Sequence, residues 1–222
     1  MKRSILALFL FTMFFSSVSL SQAKVGTDIY SRYVWRGVDY GNSTSLQPAL
    51  TYVAGDLSVG VWGSYALAGG YSEADIWASY AVGPVTLYLT DYYIPAAPPA
   101  LTFFNYSDNA GAHAVEVGVG YTGPEALPIS LAAYYIALDG ATVDNSVYVQ
   151  ASYPILSDLS LTVGGTPAKS AFYGTAKAGL INVGFTSSKT IKVSESLSIP
   201  FNVQYIMNPY VESAYLIFGI SL

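Results

Sequence analysis

Apolar side chains occupy every second position over long stretches of the chain. One example is Leu57, Val59 and Val61, which alternate with Ser58 and Gly60. A period of two is typical of β-strands that present one face to an apolar medium. Clusters of Gly, Pro, Asn, Asp and Ser separate these segments, of which we count about twelve. Their approximate cores are residues 27–36, 46–54, 57–67, 73–82, 85–93, 112–121, 129–138, 146–153, 158–165, 177–187, 196–206 and 213–222.

Two architectures share this alternation. A soluble sandwich buries the apolar face, whereas a membrane barrel shows it to lipid. An even strand number, a polar face rich in Gly, Ser and Thr, and aromatic residues near strand ends favour the barrel. We therefore predict an all-β fold, a transmembrane antiparallel up-and-down β-barrel of about twelve strands in the outer membrane of a Gram-negative bacterium.

The aromatic residues are predicted to form two belts, one at each membrane interface, if the direction of the strands is taken into account. If the first strand runs outward from the periplasm, one group falls near the outer rim and the other near the periplasmic rim. The alternative is that tyrosine is simply common in strands. The predicted outer group is Tyr33, Trp35, Tyr65, Tyr135 and Tyr205, and the predicted periplasmic group is Tyr52, Tyr80, Tyr121 and Tyr153.

Turn lengths agree with this direction, because Gly55-Asp56 and Gly83-Pro84 are short and fall on the periplasmic side. The longest connection, residues 94–111, falls outside and carries prolines and a Phe103-Phe104 pair. It can fold into the mouth of the barrel as a constriction or cover it. A surface loop with a locally packed aromatic cluster fits the residues equally well.

The N-terminus is predicted to be a secretory signal peptide, residues 1–23. Lys2 and Arg3 precede an apolar run from Ile5 to Phe15, which is shorter than the ~20 residues that span a bilayer. Small and polar residues follow it up to Lys24. Residues 24–222 then form the barrel domain.

Composition narrows the class of protein further. The mean hydropathy is +0.41, yet no apolar run of eighteen residues follows the predicted signal, and the chain contains no cysteine. Without residues 1–23, seven Lys and Arg (nine minus two) stand against fourteen Asp and Glu. This negative balance argues against nucleic acid as a partner. Membrane lipid and small solutes are the expected partners.

Several stretches resemble the TorF family of bacterial outer-membrane porins. They are "DIYSRYVWRG", "LQPALTYVAGDLSVGVWGSY", "ADIWASY", "LTDYYIP", "YTGPEALPISLAAYY", "INVGFTSSKTIKVSESLSIPFNVQYIMNP" and "AYLIFGISL", in this order over nearly the whole chain. The resemblance implies a barrel of about this strand number and a pore, with little further chemistry. The last stretch also resembles the C-terminal signal that the barrel assembly machinery reads.

Charged residues are concentrated in "DIYSRYVWRGVDYG", residues 28–41. Alternation along one strand places Asp28, Arg32 and Arg36 on one face and Tyr33 and Trp35 on the other. An arginine that faces lipid costs about 2–4 kcal/mol at the midplane, so we expect the charged face to point inward and the aromatic face to contact lipid. Other inward positions carry acids. The predicted pore-lining residues are Asp28, Arg32, Arg36, Glu73, Asp75 and Glu116.

Three functions remain open at this point: a diffusion channel for small solutes or ions, a closed structural barrel filled by side chains, and a surface binding or adhesion protein. The first is our prediction. Some barrels are lipid hydrolases, but the single histidine, His113, has no matching serine motif on a predictable neighbour, so we predict no enzyme. We also predict no metal site and no cofactor.

Overall fold

The computed structural model describes residues 22–95, 103–107, 111–140, 145–195 and 197–222. No helix in these ranges is long and apolar enough to cross a membrane. The strands of the described chain are β1 (Gln22–Tyr30), β2 (Tyr33–Trp35), β3 (Val38–Tyr40), β4 (Ser45–Ala54), β5 (Leu57–Ala66), β6 (Ser72–Val82), β7 (Val85–Tyr93), β8 (His113–Thr122), β9 (Ser130–Asp139), β10 (Val147–Leu156), β11 (Leu159–Thr166), β12 (Gly179–Lys192), β13 (Ser198–Asn208) and β14 (Ser213–Ser221).

Twelve of these strands form one closed antiparallel barrel. Its order around the wall is β1, then β14 back through β4, and β4 closes on β1. Ile29 pairs with Leu46 on one side and with Ile220 on the other, so β1 joins the two ends of the sheet. The predicted fold class and strand number are confirmed, and β4 to β14 coincide with the predicted segments to within a few residues.

The first predicted strand is wrong over its second half. Residues 27–36 were predicted to be one strand, but β1 ends at Tyr30 and the chain then leaves the wall. It forms a two-stranded hairpin in which Trp35 pairs with Val38. Arg36 and Gly37 form the turn with φ of 50° and 80°, as a two-residue hairpin loop requires. Alternation continues through the hairpin, so a period of two cannot distinguish it from the wall.

The wall has one apolar and one polar face, as the alternation predicts. Leu87 and Leu89 on β7 are about half exposed on the outside, while Thr86, Tyr88 and Thr90 alternate with them. The exposed outward tyrosines include Tyr65, Tyr135 and Tyr205 at one end and Tyr80, Tyr121 and Tyr153 at the other. The outward orientation of these six tyrosines is confirmed, and their contact with the two membrane interfaces stays a prediction.

The two ends of the barrel differ in their connections. Residues 55–56, 83–84 and 157–158 are two-residue turns at one end, which we call the short-turn end. The connections 31–44, 94–112 and 167–178 all lie at the opposite, long-loop end, because consecutive barrel strands alternate in direction. The hairpin of β2 and β3 therefore enters the barrel from the long-loop end.

Candidate functional site

The hairpin, residues 33–40, crosses the lumen from one wall to the opposite one. At its base the Tyr33 ring lies 5.4 Å from the Trp62 ring of β5. At its tip, the Asn208 side-chain amide of β13 donates a hydrogen bond of 3.1 Å to the Gly37 carbonyl. Asn208 is the last residue of its strand, so the crossing lies near the long-loop end. We call this occupied part of the lumen the mouth.

Arg36 at the hairpin tip is held by an acid and by aromatic rings. Its guanidinium lies 2.5 and 3.0 Å from the two carboxylate oxygens of Glu116, and both side chains are almost fully buried, with 8% and 3% exposed. This bidentate geometry is the strongest form of ion pair. Its guanidinium carbon also lies 4.0–4.6 Å from three ring centroids. Those rings belong to Trp35, Tyr134 and Tyr148.

Hydroxyl groups complete this ion pair. The Tyr92 hydroxyl donates to a Glu116 oxygen at 2.9 Å, and Arg36 donates to the Tyr173 hydroxyl. Burial disfavours the charged guanidinium, but Tyr173 and Glu116 together raise the pKa of Arg36 above its ordinary value. Burial likewise raises the pKa of the Tyr173 hydroxyl, so that group stays protonated. The mouth therefore contains a permanent, neutralised charge pair.

Trp35 faces the interior, which corrects the prediction that it contacts lipid. Its ring lies 5.5 Å from the Tyr92 ring and 5.9 Å from the Tyr173 ring. Tyr33 is likewise interior, beside Tyr40, Trp62 and Tyr71. Both residues belong to the hairpin rather than to a lipid-facing wall strand, so their neighbours lie within the lumen.

The connection between β11 and β12 also contributes to the mouth. Phe172 and Tyr173 pack against Trp35, and the Ser170 hydroxyl bonds to the Ser146 hydroxyl at 2.6 Å. Sequence reasoning did not identify Tyr173, since it lies in a connection without periodicity. Tyr92, Tyr134 and Tyr148 were not predicted either, although strand alternation is a signal that could have placed them on the inner face.

The six predicted pore-lining residues fall into separate groups. Arg36 and Glu116 form the pair at the hairpin tip, while Arg32 pairs with Asp39 at 2.6 Å near the hairpin base. Asp28 lies on β1 opposite Gln47, on the inward side predicted from alternation. Glu73 and Asp75 lie together on β6, away from the arginine pair. Whether any of the six lines a conducting pore stays a prediction.

Glu73 and Asp75 are both buried, with 4% and 6% exposed. The Tyr71 hydroxyl donates to a Glu73 oxygen at 2.8 Å. One oxygen of Asp75 and the hydroxyl of Ser64, which pairs with Glu73 across the strands, have no hydrogen-bond partner. No group of three or more His, Asp or Glu side chains in the described ranges is arranged to hold a metal ion.

Below the mouth the inner wall is built from glycines and small polar residues. Aromatic rings lie over several of these glycines: a Cβ at Gly60 would contact Trp77, and one at Gly120 would lie 3.0 Å from the Tyr88 ring. These rings lie against the wall. A cavity of about 170 Å³ lies here, between Tyr88, Gly120, Ala132 and Gln150 among others. We call this part the lower lumen.

His113 belongs to the outward face at the long-loop end. Its Nδ1 lies 2.8 Å from an Asp91 oxygen and its Nε2 lies 2.5 Å from the Phe103 carbonyl oxygen. Tyr106 stacks on the ring at 4.0 Å. Both ring nitrogens are thus occupied, and neither is available to activate a nucleophile.

The described part of the 94–111 connection, residues 103–107, packs on the outside of the barrel. Phe103 and Phe104 contact each other at 5.2 Å between ring centroids, and Phe103 lies against His113. These residues fit the interpretation of a surface loop with a local aromatic cluster. The connections that enter the mouth are the first one, residues 31–44, and the one between β11 and β12. Residues 96–102 and 108–110 lie outside the described residues, as does most of the predicted signal peptide.

Comparisons with known proteins include a likeness to a solved structure. No family model matches the chain, and no curated protein matches it. A solved structure of a mutant porin from Rh. blastica is similar over 91% of this chain and 99% of that chain, with 10% sequence identity and a TM-score of 0.40. The class of protein is therefore defined by the chain's own closed twelve-stranded antiparallel barrel. Membership of the TorF family stays a prediction.

Proposed function

We propose that this protein is a porin-like channel of the outer membrane that conducts small solutes or ions by passive diffusion. Its long-loop end faces the outside, and the hairpin in the mouth is its constriction. A wall with exposed Leu, Val and Ile side chains and tyrosine at both ends supports a lipid environment. No catalytic step is part of this function.

The observation that carries this proposal is the difference in filling along the lumen. A closed structural barrel fills its interior with side chains over its whole length. In this barrel, the large interlocked rings and the buried ion pair are concentrated in the mouth. The lower lumen has glycines covered by flat rings and a cavity lined by polar groups such as Gln150 and Thr122. A lower lumen with a polar cavity, below a mouth filled by packed rings, supports a constricted channel.

One observation favours a closed structural barrel as a second candidate function. Arg36 and Glu116 are buried together and bonded through both oxygens, which holds the hairpin in place. Conduction then requires a path beside the hairpin or displacement of its tip. The two functions differ in what happens when this ion pair is removed.

Single-channel recording in planar bilayers tests the proposal. The purified wild-type protein is compared with Arg36→Ala, which breaks the ion pair and removes the side chain that holds the hairpin tip. We expect steps of small amplitude or short duration for the wild type and larger or longer openings for the variant. Absence of steps in both proteins, under conditions where a control porin conducts, would contradict the channel.

A further inference from the structure

The lumen contains a second charged cluster, Glu73 and Asp75, which has no positive partner of the kind that Arg36 provides for Glu116. Glu73 and Asp75 point inward from β6, are buried, and interact directly with each other. Neither forms an ion pair with a described lysine, arginine or histidine, because Arg36 is paired with Glu116 and Arg32 with Asp39. Two buried carboxyl groups in contact require a cation or a proton between them.

Two hydrogen-bonding atoms of this cluster have no partner. Asp75 Oδ1 and Ser64 Oγ have no partner, although Ser64 is fully buried and lies directly across from Glu73. Buried polar atoms are nearly always hydrogen-bonded, so an unpaired set indicates a missing donor. Such a donor would have to reach both Asp75 and Ser64, with Glu73 directly across from Ser64.

Aromatic rings form the remaining side of this cluster. Tyr33 lies 5.4 Å from Trp62 and 6.1 Å from Tyr71 between ring centroids, and Trp62 pairs with Asp75 across the strands. Ring faces attract cations and pack against methyl and methylene groups. The cluster thus combines negative oxygens with an apolar, cation-attracting surface.

We propose that Glu73, Asp75 and Ser64 form a binding site in the lumen for a protonated primary amine. An ammonium group has three N–H donors and no acceptor, which matches Asp75 Oδ1, Ser64 Oγ and a Glu73 oxygen. The alkyl part packs on Tyr33 and Trp62. This inference deepens the proposed function, on which it rests for the use of the site, by giving the channel a class of solute.

Binding can be measured without conduction. The refolded wild-type barrel in detergent is titrated with methylammonium chloride and followed by tryptophan fluorescence, since Trp62 lies in the site. We expect a saturable change for the wild type and binding weaker by on the order of tenfold or more in Asp75→Asn and in Glu73→Gln. Ser64→Ala weakens binding several-fold. The control Glu125→Gln, at an exposed turn, leaves binding unchanged.

Tetramethylammonium is the matched probe, because it carries the same charge without an N–H donor. It should bind much more weakly than methylammonium. A folded wild type with no saturable response, equal affinity in the carboxyl variants, or equal affinity for the two probes would each overturn the site. Methylammonium binding to a barrel that does not conduct would support the amine site and contradict the channel function. The two proposals can therefore be contradicted independently.

Discussion

The mouth and the lower lumen share one barrel but are built from different chemistry. In the mouth, an arginine and a glutamate are buried among rings that contact one another, and the hairpin bonds to strands on opposite walls. In the lower lumen, rings such as Trp77 and Tyr88 lie against glycines of the wall. In this barrel, rings of the wall pack together where the hairpin and Tyr173 supply further rings between them.

The ion pair at the hairpin tip should be the most sensitive feature of the mouth. Arg36→Ala leaves the Glu116 carboxylate buried without its partner, which costs about 3–5 kcal/mol. We expect this loss in the free energy of unfolding, measured by urea titration of the barrel in detergent. The double variant Arg36→Met, Glu116→Gln is the control and should recover most of it. A loss in Arg36→Ala no larger than that of a surface arginine would show that the pair does not hold the hairpin.

Substitution at the hairpin turn should have the next largest effect. Gly37 has a φ of +80° and lies against the Ile181 backbone, so Gly37→Ala meets both strain and a clash. We expect a destabilisation of about 1–3 kcal/mol. Gly55→Ala is the control. Gly55 lies at a turn with a φ of +61° and has open space around it, so its substitution causes backbone strain without a clash. Equal losses in the two variants would mean that the tip is not seated against β12.

The lower lumen can be disturbed through one of its covered glycines. Gly120→Ala would push the Tyr88 ring away from the wall, because an added Cβ would lie 3.0 Å from a Tyr88 ring carbon, at a cost of about 1 kcal/mol. We expect a smaller conductance in single-channel recordings. Gly184→Ala is the matched control, because its nearest side-chain atom lies at 3.5 Å and an added methyl fits. An unchanged conductance in Gly120→Ala would show that the rings do not set the width of the lower lumen.

The smallest effect is expected at the other arginine of the same connection. Arg32 is about a third exposed and pairs with Asp39, so water screens the pair. Arg32→Ala should lower stability by less than about 1 kcal/mol by the same urea titration. A loss of unfolding free energy as large as that of Arg36→Ala would show that the buried and the partly exposed ion pair contribute equally to the stability of the mouth.

Much of the fold follows from the sequence, because a wall strand must alternate between an apolar and a polar face. That rule placed β4 to β14 and put Glu73, Asp75 and Glu116 inside. It failed after Tyr30, where the alternation of Tyr33 and Trp35 belongs to a hairpin inside the lumen. The Arg36-Gly37 turn was the available signal, yet a glycine next to a charge occurs in strands too. Tyr173 could not be placed, since its position depends on contacts across the barrel.

We propose that the hairpin, residues 33–40, is the main constriction of the channel. The most direct test is the permeability of liposomes containing the wild type or a variant in which these residues are replaced by a short Gly-Ser linker, measured with a small neutral sugar. Refolding of both proteins is verified first by circular dichroism. We expect a clear rise in sugar entry for the linker variant. Equal, background-level entry through both folded barrels would contradict it.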